Sequence, residues 1–178
     1  MSLRKLFIAA SSASAAVPGV AVIIKGIGSP PDQQTLFGGL IEAIGALSLL
    51  ILLVNRDKIR GVEAEKITRW SVALGLTSIL LFFAYIAMFG TCVKSDSSGT
   101  TFIPIWTSGE LKQMIQKTGS RDAAISVYGV DAIHDAIRKM PSVALPLTTV
   151  FLLLVLLTAL NSLTLAFGLI GFHEGAGL

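Results

Sequence analysis

Apolar positions along this chain gather into four runs, residues 6–24, 36–54, 70–89 and 145–172, of 19, 19, 20 and 28 residues. At a rise of 1.5 Å per residue, 19 helical residues reach roughly 28 Å, about one hydrocarbon thickness of a bilayer. The pattern predicts an all-α polytopic membrane protein with four transmembrane helices. The fourth run is longer than a crossing needs, so it is expected to tilt or to project beyond the membrane. The first run begins after Arg4 and Lys5, and its small-residue stretch 11–16 has the look of a signal-peptide cleavage region. Its apolar character resumes at Val17, however, so it reads as a retained span bent at Pro18-Gly19.

The segments between the runs differ in kind. Residues 25–35 hold Gly26, Gly28, Pro30 and Pro31, a tight turn. Residues 55–69 alternate charges of both signs around a thin apolar stripe of Ile59, Val62 and Ile67, and are compatible with helix. Residues 90–144 form a small, mainly helical extracytoplasmic insert. It opens with an extended stretch at 100–106 that Pro104 confines to a sheet edge. A capping box, Thr107-x-x-Glu110, then starts a helix bearing Leu111, Met114 and Ile115. Gly119-Ser120 separates this from a second helix with Ala124, Ile125 and Tyr128, which Gly129 stops. A third carries Val130, Ile133, Ile137 and Met140 and ends at Pro141. Three such short helices are too little for a core of their own, so they are expected to pack on each other, on the membrane or on neighbouring subunits. The domain organisation is therefore 1–89, 90–144 and 145–178.

Composition sharpens this picture. Apolar residues make up 53% of the chain and charged ones 14%, against roughly 25% charged in soluble proteins. The mean hydropathy is +0.76. Lysine and arginine number two before the first run, one in 25–35, five in 55–69, six in 90–144 and none after the last run. Alternate sides of the membrane thus tie at seven each. Short loops obey the positive-inside rule better than long ones, so Arg56, Lys58, Arg60, Lys66 and Arg69 decide the orientation. Both termini are expected in the cytoplasm. The net charge of +3 is spread over several loops, which argues against direct nucleic-acid binding. A single cysteine, Cys92, excludes an intramolecular disulfide and any cysteine-rich metal site.

Little in the chain proposes catalysis. Asp131, His134, Asp135 and Arg138 share a helix face, but the solvent side of an amphipathic helix has the same composition, so no metal is assigned. There is no phosphate loop, nucleophile elbow or H-E-x-x-H motif, so neither an enzyme nor a cofactor is expected. The intramembrane polar residues remain. Glu42 is the one charged side chain in the four runs, flanked one turn away by Gly38, Gly39, Gly45 and Ala46. A carboxylate at that depth lines a cavity, sits protonated against Asn161 or a hydroxyl, or reaches the interface. Thr158, Asn161 and Ser162 form a second polar patch at i, i+3 and i+4, a spacing suited to hydrogen bonds between helices.

These surfaces point to tight helix packing in membrane lipid and to homo-oligomerisation. The basic segment 55–69 could serve a cytoplasmic protein partner. The function classes that fit are an oligomeric sensor or scaffold, and a homo-oligomeric ion channel with Glu42 in its path. A transporter fits less well, since four spans show no inverted repeat. The layout of four spans, a short basic loop at 55–69 and a larger insert at 90–144 resembles KwaA, the membrane subunit of the bacterial Kiwa anti-phage system. The resemblance covers nearly the whole chain in size and layout, without a motif, and carries over no functional residue. It implies a homo-oligomeric inner-membrane sensor of phage attachment that recruits a cytoplasmic, DNA-binding partner.

Overall fold

The computed structural model describes residues 34–96 and 99–174. The first apolar run, at 6–24, and most of the turn after it lie outside the described residues. The chain divides into two compact units, Met1–Phe83 with Val155–Leu178, and Ala84–Leu154.

In the first unit, α1 (Gln34–Val54) matches the second apolar run. Asn55 ends it: the Asn55 side-chain amide donates to the Ile51 carbonyl at 2.9 Å, and its backbone N–H donates to the same oxygen at 3.1 Å. That satisfies one of the carbonyls a helix end leaves without a partner. A single turn, α2 (Arg56–Arg60), follows and is closed at Gly61, whose N–H donates to the Asp57 carbonyl at 3.3 Å. Then α3 (Ala64–Cys92) begins. The apolar stripe of 55–69 is not left to solvent. Ile59 and Ile67 are buried with Leu52 and packed by Val62, Leu165, Leu169 and Phe172. The last three belong to α6 (Ala144–Glu174). His173 pins that helix end, with Nε2 3.2 Å from the Val62 carbonyl.

Among the described residues, α3 and α6 are long and apolar enough to cross a membrane. Only 11% of the apolar window of α3 and 33% of that of α6 is buried in the protein. The core helix of a water-soluble domain would be mostly covered.

The second unit holds the end of α3, a hairpin of β1 (Val93–Asp96) and β2 (Gly99–Phe102), α4 (Gly109–Thr118), α5 (Arg121–Arg138) and the start of α6. The strands pair antiparallel, Val93 opposite Phe102 and Asp96 opposite Gly99. The extended stretch expected at 100–106 is a strand only over Gly99–Phe102, paired with β1, and Pro104 lies in the loop beyond its end rather than on a sheet edge. Gly119 closes α4 in the left-handed region at φ 80°, its N–H donating to the Ile115 carbonyl at 2.9 Å. Ser120 caps α5 by accepting from the Ala123 N–H at 3.0 Å. Gly129, at φ 79° and ψ 161°, breaks α5 into two helical segments. Only glycine takes that backbone conformation without strain.

One expectation fails in this unit, and another takes one of its stated forms, the helices packing on each other. The Thr107 capping box does not form, because Ser108 rather than Thr107 is the N-cap of α4 and Glu110 reaches Lys139 Nζ at 2.8 Å instead. That bond and the carboxylate charge push the Lys139 ammonium above its ordinary pKa range. The insert also has a core of its own. Ile103, Leu111, Ala124, Ile125, Val130, Ile133 and Ala136 are buried together, with Met114, Ile115, Ile137 and Met140 around them. The loop residue Ile103 brings the strands to the helices and supplies what three helices alone would lack.

Candidate functional site

The polar residues of the apolar helices are the candidate site, and the face that α1 buries decides their arrangement. Ile41, Gly45, Ser48 and Leu52 are buried on α1, at offsets of four, three and four, one helical stripe. Glu42 stands one position away and is exposed, as are Gly39 and Ala46, while Gly38 is half-buried. Of the four small residues expected to pack, Gly45 alone is covered within one chain. A methyl group added at Gly38 or Gly39 would meet nothing within 4 Å among the described residues.

The contact between α1 and α6 is made elsewhere. Asn161 Oδ1 lies 2.5 Å from the Ser48 hydroxyl, which also lies 2.9 Å from the Ile44 carbonyl. A hydroxyl has one proton, so it cannot donate well to both. Turning the Asn161 carboxamide over resolves this: Nδ2 donates to Ser48, and Ser48 donates to Ile44. Asn161 is thereby engaged with Ser48 and not with Glu42. One turn further along α1, a methyl on Gly168 would collide with the Leu52 Cδ1 methyl and touch Leu49 Cδ2 at 3.5 Å. The close approach of the two helices thus runs through a glycine on α6, which sequence reasoning passed over. A lone serine in the 47–54 run and a glycine late in α6 were the available signals. The 158, 161, 162 patch is divided: Ser162 is buried, Asn161 is half-buried and Thr158 is exposed.

Because Ser48 and Asn161 are polar partners between apolar helices, their coupling is measurable. A double-mutant cycle with Ser48→Ala and Asn161→Ala, read by reversible unfolding in mixed micelles, is expected to return about 0.6 kcal/mol and at most about 1.7. A coupling of zero would remove the bond as a packing determinant.

The basic residues of 55–69 are partly matched by nearby acids. Arg56 and Arg60 reach Asp57 at 3.5 and 3.8 Å, Lys66 reaches Glu63 at 3.1 Å, and Arg69 reaches Glu65 at 3.4 Å. Lys58 is exposed. Surface pairs of this kind contribute little to stability and exchange readily for another partner. On α5, Asp131, His134, Asp135 and Arg138 are all exposed, and Arg138 pairs with Asp135 at 3.7 Å. No three metal-ligating side chains gather among the described residues.

In the second unit the strongest polar feature is Arg121, which no motif announced. Its Nη1 donates to the Thr91 carbonyl at 2.8 Å, and its Nη2 donates to the Pro104 and Ile105 carbonyls at 3.0 and 2.9 Å. One guanidinium therefore holds the end of α3, the loop after β2 and the start of α5. Cys92 is buried beside it as a free thiol. No family model, curated protein or solved structure matches this chain.

Proposed function

We propose that this chain is a homo-oligomeric, four-span membrane sensor or scaffold that couples an event at its 90–144 insert to a cytoplasmic protein at its basic segment 55–69. The observation that carries the reading is how α3 is held. At its end, the Cys92 carbonyl accepts from the Ile103 N–H at 2.7 Å and the Thr91 carbonyl accepts from Arg121, inside the second unit. Near its start, Ile67 is 3% exposed in the cluster with Ile59 and Phe172, inside the first unit. A continuous helix fastened at each end into a different core is suited to carrying a displacement along its axis.

Two further features support it. Ser48 against Asn161 and Leu52 against Gly168 make α1 and α6 run in the same direction, as helices that cross in the same sense would. Glu42 is exposed on an apolar helix, and a carboxylate facing lipid is costly. A second copy of the chain packed on that face would remove it from lipid. With the N-terminal run as a further crossing, both termini lie in the cytoplasm. The resemblance in layout to KwaA extends the proposal to anti-phage defence at a bacterial inner membrane.

The competing reading is a channel with Glu42 in its path, and one experiment separates the two. The purified chain is measured for mass by light scattering and for ion flux after reconstitution in liposomes, beside Glu42→Gln. The platform reading expects a mass several times the 18.7 kDa chain and no flux, with Glu42→Gln altering assembly. Flux that Glu42→Gln abolishes makes it a channel. A monomer without flux overturns both.

A further inference from the structure

We infer that the loop 103–106, together with the first two turns of α6, is a seat for the bilayer interface, with the Trp106 ring lying at the boundary between phospholipid headgroups and acyl chains. The inference deepens the membrane reading above and rests on α6 as a membrane span.

The first observation is where the loop's backbone polar groups go. Irregular chain on a protein surface ordinarily leaves such groups to water. Here the Ile103 N–H donates to the Cys92 carbonyl at 2.7 Å, and Pro104 has no N–H to satisfy. The Ile105 N–H donates to the Thr148 hydroxyl at 3.0 Å, and Thr148 is fully buried. The Pro104 and Ile105 carbonyls accept from Arg121. Non-helical backbone survives near hydrocarbon only when protein groups satisfy it in this way.

The second observation is what the loop presents outward. Ile103 and Pro104 are buried, but Trp106 is 46% exposed and packs edge-on against Phe151, the ring centroids 5.5 Å apart at 71°. Phe151 belongs to an exposed apolar stripe on α6, with Leu147, Val150 and Leu154. The indole thus continues a helix face already built for lipid, and it combines an apolar ring with an N–H donor suited to headgroups.

The third is depth. α6 has 31 residues, about 46 Å, which exceeds the roughly 30 Å of hydrocarbon. From Phe151 to Phe172 the helix advances about 32 Å through residues none of which is charged. Setting the Trp106–Phe151 pair at one boundary therefore puts Phe172 at the other, with His173 just beyond. The turns before Phe151 then stand in the headgroup layer. Trp70, the other tryptophan of the chain, is exposed right after the charged stretch 65–69, where the second boundary is expected on α3.

The test uses the full chain in liposomes and its own tryptophans. Trp70→Phe leaves Trp106 as the single emitter, and Trp106→Phe leaves Trp70. Each is exposed to phospholipids brominated near the ester end of the acyl chain, to lipids brominated near the chain middle, and to aqueous iodide. The expected result is loss of most Trp106 emission with ester-end bromine, less with mid-chain bromine and little with iodide. Quenching of Trp106 by iodide alone, while Trp70 still responds to bromolipid, overturns the seat and leaves the spans standing. If neither tryptophan responds to bromolipid, the membrane reading itself fails. Trp106 shielded from all three quenchers, with Trp70 responsive, means protein covers it, and the proposal fails in favour of a subunit contact.

Discussion

Arg121→Met is expected to lower the melting temperature of the 84–154 unit by more than about 10 °C, the scale of a loss on the order of 3 kcal/mol in a domain this small. The magnitude follows from three carbonyls that share one charged donor, those of Thr91, Pro104 and Ile105. Hydrogen bonds from a charged group contribute about 1.5–3 kcal/mol each, and they do not add when one side chain makes them all. The Thr91 carbonyl is also among the last of α3, where a cation opposes the negative end of the helix dipole. Methionine keeps the aliphatic stem and removes only the donors. Arg121→Lys should recover part of the loss, since an ammonium has no planar fork to reach three acceptors at once. Thermal unfolding followed through Trp106 fluorescence in a Trp70→Phe background measures this. An unchanged midpoint for Arg121→Met would show that the carbonyls are served by water instead.

The next largest effect is expected at Gly168. Gly168→Leu should destabilise the contact of α1 with α6 by about 1–3 kcal/mol, the usual cost of overfilling a packed site. Gly168→Ala should cost less, because the obstructing atom is the terminal methyl of Leu52, a side chain that can turn aside. The diagnostic is compensation. Leu52→Ala alone opens a space beside Gly168, and Gly168→Ala alone crowds it, so the double variant should be more stable than the two losses predict. Reversible unfolding in mixed micelles reads all four proteins. Strict additivity would mean that the helices do not meet at this pair.

Both positions show what was hard to read from residues alone. Glu42 and its glycines draw the eye because a charge in an apolar run is rare. In one chain the buried stripe of α1 is instead Ile41, Gly45, Ser48 and Leu52. Two stripes about 100° apart share Gly45 or border it, and a helix rich in glycine and alanine permits close approach on either. Tertiary packing distinguishes them, and on α6 it is Asn161 and Gly168 that meet Ser48 and Leu52. Arg121 is similar: nothing in its neighbours marks it, because its three acceptors come from carbonyls 16 to 30 positions earlier.

The insert divides along the same line. The breaks at Gly119-Ser120 and at Gly129 are legible because a left-handed glycine and a capping serine act on their own residues. The Thr107 cap is not, since Glu110 has a distant competitor in Lys139, 29 positions away. The strand 93–96 is also missed, because Val-Lys-Ser-Asp has no apolar alternation to announce it and forms by pairing with β2.

The sequence by itself therefore determined the elements of this protein: long apolar helices, a charged turn at 55–69, and glycine breaks in a helical insert. These depend on hydrophobicity and on backbone preferences that act over a few residues. The tertiary structure alone decided which faces meet, that the insert closes a core around Ile103, and that Arg121 binds three segments together. Those outcomes depend on complementarity between surfaces far apart in the chain, and no local pattern encodes it.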